Sequence, residues 1–261
     1  MSRFAERLRN ALALPETAGL DLDAPELTAR RRAIIRGKPF LRRIYLEWYA
    51  SLLGALPLNG RILEIGAGGG FLQELRPGLL TSDILPVPGL DVVLDARRLP
   101  FPQGALDGVA MVNVLHHIPD PSAFFDEAAR CVRPGGAVAM LEPWVTRWSR
   151  LVYTRLHHEP FAPQAAEWRL SGQGALSDAN GALPWILFQR DHARFEARHP
   201  QWRIRTLRPL MPFRYLLSGG VSMRALVPAA SFDLWHSLEN LLSPWMDSLG
   251  MFALIVLERT P

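Results

Sequence analysis

The chain of 261 residues contains a single cysteine, Cys131, and a single lysine, Lys38. One cysteine excludes an internal disulfide and any metal site built from several thiolates. Cys131 falls in a helical pattern, which predicts a small buried apolar side chain. Arginine supplies the rest of the positive charge, so the net charge of +4 indicates a compositional bias. No nucleic-acid partner is expected, because no recognition motif accompanies the basic residues.

Long hydrophobic runs are also absent. The longest apolar run, residues 251–257, is far shorter than the roughly 20 residues that a membrane-spanning helix requires. Glu6 and Arg9 precede a short Ala-Leu stretch, unlike the start of a secretory signal. We therefore expect a cytoplasmic globular protein, and a hydrophobic content of 49% is enough for one large domain with insertions.

The densest charge lies in residues 30–43, where cations and apolar side chains are interleaved without an acid. This pattern is typical of an amphipathic helix that faces an anionic substrate, an anionic membrane surface or water. Together with an apolar stretch in residues 215–245, it suggests the hypothesis of peripheral membrane contact. Pairing with a second copy of the chain, as a homodimer, explains the apolar stretch equally well.

Short apolar runs predict the strands, at residues 62–65, 79–82, 92–94, 109–114 and 137–141, with two later runs at 202–207 and 252–257. The first five lack polar alternation, as expected for strands buried on both faces. Helical patterns extend to about Leu56, over residues 70–75, and from an N-cap at Asp120 with Pro121 in the first turn. This alternation predicts an α/β fold with a doubly wound parallel sheet.

The first predicted strand ends in a glycine-rich turn. Glu64 lies two residues before Gly66, and Gly68 and Gly70 follow at alternate positions. Glycine has no Cβ, so the turn can adopt positive φ and present bare backbone N–H groups to a ligand. A nucleotide-like cofactor is the expected ligand.

Polar residues follow the next strands, at the edge where open α/β sheets bind ligands. Asp83 lies 17 residues after Gly66, the place of an acid that accepts both hydroxyls of a ribose. Asp95 and the backbone N–H of Ala96 follow the third strand, where an acceptor beside a donor can bind adenine. These residues predict an adenosine-like ligand.

The glycine turn does not fit a dinucleotide. The spacing Gly-x-Gly-x-x-Gly requires glycine where the chain has Phe71, and no Walker lysine follows. Glu64 would repel a pyrophosphate, but it suits a cofactor with a cationic amino-acid end. The charge therefore favours a sulfonium nucleoside over NAD.

With these motifs in order, residues 60–144 resemble the class I S-adenosylmethionine-dependent methyltransferases, in particular a small-molecule type with an "HHIPD" segment. The matching segments are ILEIGAGGG (62–70), DARRLPFP (95–102), LD (106–107), NVLHHIPD (113–120) and RPGG (133–136), together with Asp83. The resemblance implies a Rossmann-like seven-stranded sheet whose last strand is antiparallel. The helix that usually follows Asp83 is expected to be missing or reduced, because only eleven residues separate Asp83 from Asp95.

The resemblance also implies that S-adenosyl-L-methionine is the cofactor. The implied contacts are Glu64, Gly66, Gly68 and Gly70 for its methionine part, Asp83 for the ribose, Asp95 and Ala96 for the adenine, and the Asn113 backbone for the amino end. The whole chain, 1–261, is then one methyltransferase domain. Its predicted parts are an N-terminal helical cap (1–58), a cofactor-binding core (60–144) and substrate-side helical insertions (145–200 and 211–250).

His116 and His117 follow the fourth predicted strand and are the candidate catalytic residues. A neutral imidazole can take the proton of a hydroxyl or a protonated amine near pH 7. Both rings could instead cap the next helix or line the cofactor pocket. A base is needed only for such acceptors, since alignment of the nucleophile supplies most of what methyl transfer requires.

No metal ion is expected. The ubiquinone-type O-methyltransferases, which this segment resembles, carry acidic residues at the positions of Asn113 and His116, and without carboxylates a divalent cation has few ligands here. His157, His158 and Glu159 are a weaker candidate for a metal or a base, because adjacent side chains on a helix point apart.

The sequence predicts an S-adenosylmethionine-dependent methyltransferase that acts on O or N of a small or lipid-like molecule. Aromatic side chains outside the core are expected to line the acceptor site. Two alternatives are an NAD-linked oxidoreductase, disfavoured by Glu64 and Phe71, and a non-catalytic binding module. The non-catalytic binding module is disfavoured because the chain carries Asp83, Asp95 and Asn113 together.

Overall fold

The protein, seen in a computed structural model, is built on one seven-stranded sheet. The structure describes residues 12–17, 20–156, 159–170, 172, 174 and 176–261. The strands are β1 (Ile62–Ile65), β2 (Leu80–Asp83), β3 (Val92–Val93), β4 (Leu106–Val112), β5 (Val132–Pro143), β6 (Trp202–Leu210) and β7 (Phe252–Arg259). The α-helices of these residues are α1 (Pro25–Gly37), α2 (Pro39–Ala55), α3 (Pro121–Cys131), α4 (Arg147–Leu156), α5 (Leu183–Trp185), α6 (His192–Arg198), α7 (Arg214–Ser218), α8 (Phe232–Leu241) and α9 (Met246–Leu249).

The sheet is parallel except at β7, the last strand in the chain. Its order is β3-β2-β1-β4-β5-β7-β6, and the strands from β3 to β5 in this order run parallel. β7 lies between β5 and β6 and is antiparallel to both. The predicted Rossmann-like, doubly wound sheet with an antiparallel last strand is therefore confirmed.

Hydrophobic side chains cover both faces of the sheet. Successive residues of a strand point to opposite faces, so Val109 and Met111 of β4 pack on one face and Ala110 on the other. The first face carries α3, whose Phe124 and Phe125 are fully buried, and the second carries α2. Burial on both faces explains why the predicted strands lack polar alternation.

The chain after β1 differs from the helix predicted over residues 70–75. It forms two short 3₁₀ turns, Ala67–Gly69 and Leu72–Glu74. A run rich in glycine disfavours the α-helix and Pro77 ends it, so only single turns form. Between β2 and β3 the structure has no helix, as expected from the short connection.

Two basic residues of the N-terminal helical region bind backbone carbonyls of the protein itself. Arg32 on α1 donates from Nε to the Gly68 carbonyl at 3.0 Å. Lys38, between α1 and α2, donates from Nζ to the carbonyls of Gly220, at 2.9 Å, and Met223. These two cations fix the helices to the glycine turn and to the loop after α7.

An exposed apolar stripe runs along α8 and the turn after it. Leu234, Leu241 and Trp245 are 70%, 74% and 58% exposed. In the described part of the chain, no helix is long and apolar enough to cross a membrane. Membrane contact and homodimer formation remain predictions.

A buried ion pair holds the insertion at 211–250 to the N-terminal helices. Arg214 Nε lies 2.5 Å from Glu239 Oε2, and its NH1 lies 2.8 Å from Glu47 Oε2 on α2. Glu239 Oε1 also accepts the backbone N–H groups of Phe213 and Arg214. Both partners of the pair are buried, so each charge depends on the other for its solvation.

Replacing Arg214 by methionine is expected to lower the free energy of unfolding by about 3–5 kcal/mol, because Glu239 stays buried without its counter-charge. Urea unfolding followed by circular dichroism measures the loss. The matched control is Arg203→Met, which breaks an exposed pair with Glu258 and should change stability little. Equal losses of stability in Arg214→Met and Arg203→Met would contradict the conclusion that the buried pair stabilises the fold.

Candidate active site

A cavity of about 340 Å³ opens at the carboxyl ends of the parallel strands, where α/β sheets bind ligands. Seven of the predicted site residues line it, namely Gly66, Asp83, Asp95, Ala96, Asn113, His116 and His117. The cavity wall does not include Glu64, Gly68 and Gly70. Of these three, Gly68 supports the wall from behind, because its N–H donates to Asp83 Oδ2 at 3.0 Å.

Two of the glycines are fixed by close approaches of other groups. Gly66 has φ +76°, and a Cβ there would lie 2.3 Å from Val114 Cγ2. A Cβ on Gly70 would lie 2.4 Å from the Tyr49 hydroxyl, which itself accepts the N–H of Phe71 at 3.0 Å. Neither position has space for a larger residue.

Asp83 is held by backbone donors at the end of β2. Its Oδ2 accepts the N–H of Gly68 and its Oδ1 that of Leu85, both at 3.0 Å. Burial raises the pKa of this carboxyl, and the backbone N–H groups oppose that effect. Each carboxylate oxygen keeps a further lone pair, which leaves Asp83 able to accept two hydroxyls from the cavity.

Glu64 is buried beneath the glycine turn and is only 3% exposed. Burial raises its pKa to about 8; Arg32 opposes this shift, and Asp83 adds to it. A cationic ligand group nearby would favour the ionised form of such a carboxyl. Because Glu64 does not line the cavity, its role toward a cofactor remains a prediction.

Asp95 is clamped by a residue that the sequence reasoning missed. Arg97 Nε lies 3.0 Å from both oxygens of Asp95, and Arg97 NH2 lies 2.7 Å from Oδ2. This hydrogen-bonded pair lowers the pKa of Asp95 despite partial burial. Arg97 also lines the cavity, two residues after Asp95 in the same motif.

Two polar atoms in the cavity wall are buried without a partner among the described residues: Asn113 Oδ1 and Thr28 Oγ1. Buried polar atoms are nearly always hydrogen-bonded, so these two atoms are exceptions beside the cavity. Asn113 adopts φ +56°, and its N–H donates to the Leu141 carbonyl at 2.8 Å. Its carbonyl is the backbone group that can accept from the amino end of a cofactor.

His116 is fixed by Glu142, a strand-end residue that the sequence analysis did not select. Glu142 Oε2 lies 2.7 Å from His116 Nδ1, and its Oε1 accepts the N–H groups of Val114 and Leu115, both at 2.8 Å. The pair is fully buried. Glu142 therefore fixes the orientation of the His116 ring, and Nε2, on the other side of the ring, lies 3.5 Å from Glu159 Oε2.

The two histidines have opposite pKa shifts. Burial alone would lower the pKa of His116, but the hydrogen bonds to Glu142 and Glu159 outweigh it and raise the pKa to about 9. Burial and the charge of His116 lower the pKa of His117 to about 3. His117 Nδ1 donates to the Asp178 carbonyl at 3.3 Å. At neutral pH His116 is thus an imidazolium and His117 a neutral ring.

His116, His117 and Glu159 each offer one ligand atom, and these atoms lie within 4.8 Å of one another. The sequence analysis expected no metal because carboxylates seemed absent beside His116. That premise is wrong, since Glu142 and Glu159 both contact His116. Metal binding requires neutral imidazoles, whereas the carboxylates hold His116 protonated. The absence of a metal remains a prediction.

Three tyrosines outside the cofactor core, Tyr45, Tyr153 and Tyr215, line the cavity. The tryptophans outside that core pack in the two hydrophobic clusters: Trp48, Trp144, Trp148, Trp168 and Trp185. An aromatic acceptor wall remains a prediction. His157 and His158 lie outside the described residues.

Replacing Glu142 by glutamine is expected to lower the pKa of His116 by about 1–3 units, because the opposite charge that raises it is removed. NMR titration of labelled histidine measures the change. Wild type should titrate near pH 9 at His116, with His117 neutral throughout. Glu26→Gln, on the exposed start of α1, is the control. A His116 pKa that Glu142→Gln leaves unchanged would contradict the assignment.

The sequence relatives are methyltransferases. The family model of a methyltransferase domain matches residues 38–205. The ubiquinone biosynthesis O-methyltransferase of Xanthomonas oryzae pv. oryzae (strain PXO99A) is 30% identical over 194 residues, covering 60% of this chain and 77% of the relative. The 27-O-demethylrifamycin SV methyltransferase of Amycolatopsis mediterranei (strain S699) is 30% identical over 115 residues, covering 34% of this chain and 41% of the relative.

A solved structure supports the fold. The geranyl diphosphate C-methyltransferase from Streptomyces coelicolor A3(2), in complex with Mg²⁺, geranyl diphosphate and S-adenosyl-L-homocysteine, aligns with a TM-score of 0.51 and 13% identity over 99% of both chains. The family match sets aside the NAD-linked oxidoreductase and the non-catalytic module. The chain belongs to the methyltransferase domain family, and it is an enzyme whose cofactor is S-adenosyl-L-methionine.

Proposed function

We propose that this enzyme methylates the oxygen of a small or lipid-like molecule that bears an acidic hydroxyl, of the phenol or enol type. The observation that carries the proposal is the buried pair of His116 and Glu142 at the cavity. When bound, S-adenosyl-L-methionine supplies a methyl group on a cationic sulfur. The chain must then align the hydroxyl oxygen with that methyl and remove the hydroxyl proton.

The residues of the strand ends fit the cofactor. The two free lone pairs of Asp83 suit ribose hydroxyls, and Ala96 lies in the wall beside Asp95, as an adenine site requires. The unpartnered Asn113 Oδ1 adds an acceptor close to the glycine turn. Gly66 exposes backbone there through its positive φ. These residues would hold the adenosine and amino-acid ends of the cofactor.

His116 is the proposed base. Its Nδ1–H bond to Glu142 fixes the tautomer that leaves a lone pair on Nε2 once the ring is neutral, and His116 lines the cavity. A pKa of about 9 is close to the value of about 10 for a phenolic hydroxyl, so a proton moves between them at little cost. An alkyl hydroxyl is far less acidic, and this match favours phenols and enols.

The charge of His116 also bears on the accepting atom. At neutral pH the imidazolium form prevails, and it repels a protonated amine while it attracts an ionised hydroxyl. The relative named as an O-methyltransferase supports the same choice. Oxygen is therefore the proposed acceptor, rather than nitrogen.

Both insertions contribute to the acceptor side of the cavity, which supports the division of the chain proposed from its sequence. Tyr153 and Phe161 come from residues 145–200, and Leu216 comes from residues 211–250. Tyr153 donates its hydroxyl to a backbone carbonyl at 2.8 Å, so the ring presents an apolar face. Such a wall suits an apolar acceptor.

Replacing Gly66 by alanine is expected to abolish binding of S-adenosylhomocysteine, because a Cβ meets Val114 and the positive φ is strained. Isothermal titration calorimetry measures the affinity. The control is Gly54→Ala, on α2, where a Cβ meets nothing within 4 Å. Unchanged affinity in Gly66→Ala, with the variant folded by circular dichroism, would argue against the cofactor site.

The pH profile tests the base. With a phenol found by screening for a mass gain of one CH₂, kcat/KM should rise about tenfold per pH unit up to about pH 9, because only neutral His116 accepts a proton. His116→Gln should lose this rise and lower kcat by about 100-fold or more. His192→Gln, exposed on α6, is the control. A rise retained in His116→Gln would exclude His116 as the base.

A further inference from the structure

Arg31 is a cation in the cavity wall that forms no ion pair with a described residue. It lies on α1, is half-buried and lines the cavity. Among the described residues, its guanidinium makes no hydrogen bond and no ion pair. Both neighbours are bound, since Arg30 donates to the Glu16 carbonyl at 3.2 Å and Arg32 to the Gly68 carbonyl. A partly buried, unpaired cation that faces a cavity points to an anionic ligand.

Two tyrosine hydroxyls complete the surroundings of this cation. Tyr45 on α2 and Tyr215 on α7 line the same cavity. Neither hydroxyl has a hydrogen-bond partner within the described part of the chain. Burial and the charge of Glu159 raise the pKa of Tyr215 to about 12, and the charge of Arg31 opposes that shift. Both hydroxyls stay protonated at neutral pH and can donate.

Arg31 and Arg32 have different surroundings, because Arg31 lines the cavity and Arg32 binds the glycine turn beside it. Successive helical residues point about 100° apart. Arg32 acts on the cofactor side, where it opposes the burial that raises the pKa of Glu64 and Asp83. Arg31 acts instead on His117, whose pKa it lowers further after the larger effects of burial and His116. The free guanidinium therefore belongs to the acceptor side.

We propose that Arg31, together with the hydroxyls of Tyr45 and Tyr215, binds a carboxylate carried by the methyl acceptor. The planar guanidinium presents two parallel donors to the two carboxylate oxygens, and the hydroxyls supply further donors. The enzyme thus selects acceptors with a hydroxyl at the His116 end and an acid at the Arg31 end. This inference rests on the proposed function only for the hydroxyl of the acceptor. Binding of the acceptor's carboxylate is measured separately.

Two isosteric probes test the subsite, 4-hydroxybenzoate and its uncharged analogue 4-hydroxybenzamide. Their dissociation constants are measured by NMR titration on the full chain saturated with S-adenosylhomocysteine. Wild type should bind the benzoate about 10- to 100-fold more tightly than the amide, as expected for hydrogen bonds to a charged group. Arg31→Gln should remove this preference. Arg31→Lys should retain part of the preference, because lysine keeps the positive charge but lacks the two parallel N–H donors of the guanidinium.

The control is Arg30→Gln, on the exposed side of α1, which should keep the wild-type preference. Tyr215→Phe should weaken the benzoate and leave the amide unchanged. No preference in wild type, including no binding of either probe, would overturn the proposal. So would a loss of S-adenosylhomocysteine affinity in Arg31→Gln with the probe preference intact, because Arg31 would then bind the cofactor's own carboxylate.

Failure of the proposed methylation gives a different result. If no phenol is methylated, or if the rise of kcat/KM toward pH 9 is missing, the oxygen-acceptor proposal fails. The benzoate preference of wild type and its loss in Arg31→Gln are binding measurements and do not depend on that outcome.

Discussion

The Glu142 carboxylate fixes the turn that follows β4, and the geometry of the site depends on it. Three donors converge on its two oxygens: the backbone N–H groups of Val114 and Leu115, and Nδ1 of His116. Because β5 is paired with β4 in the centre of the sheet, the acid that ends β5 has little freedom to move. The His116 ring is thereby oriented from the sheet itself.

Charged residues form two separate groups in and beside the cavity. At one end Glu142 and Glu159 balance the His116 imidazolium. Along the cofactor side Arg32 partly offsets the buried acids Glu64 and Asp83. The His116 imidazolium has opposite charges within the protein, whereas the pKa values of Glu64 and Asp83 stay raised despite Arg32. Arg31 belongs to neither group. A negatively charged ligand would therefore interact most strongly with Arg31.

The sequence was sufficient to predict the features that depend on local patterns. The apolar runs predicted all seven strands, and Asp120 predicted the N-cap of α3, where its Oδ1 accepts the N–H of Ala123 at 3.2 Å. Local pattern also indicated that Gly66 and Asp83 lie at the same edge of the sheet, because parallel strands bring their ends to one edge. The helix over 70–75 was wrong because glycine content outweighed apolar spacing.

The contacts that the sequence did not predict are those between distant segments. Glu159 comes from the insertion after β5, and nothing in its neighbourhood indicates that it meets His116. The same holds for the N-terminal cations. The pattern in residues 30–43 looks uniform, yet Arg32 binds the glycine turn while Arg31 has no partner among the described residues. Adjacent residues of a helix point about 100° apart, so the rotation of α1 about its axis decides which arginine reaches the glycine turn. Only the packing of α1 against the turn fixes that rotation. The composition of residues 30–43 therefore suggested one continuous basic surface, whereas in the fold each cation has its own surroundings.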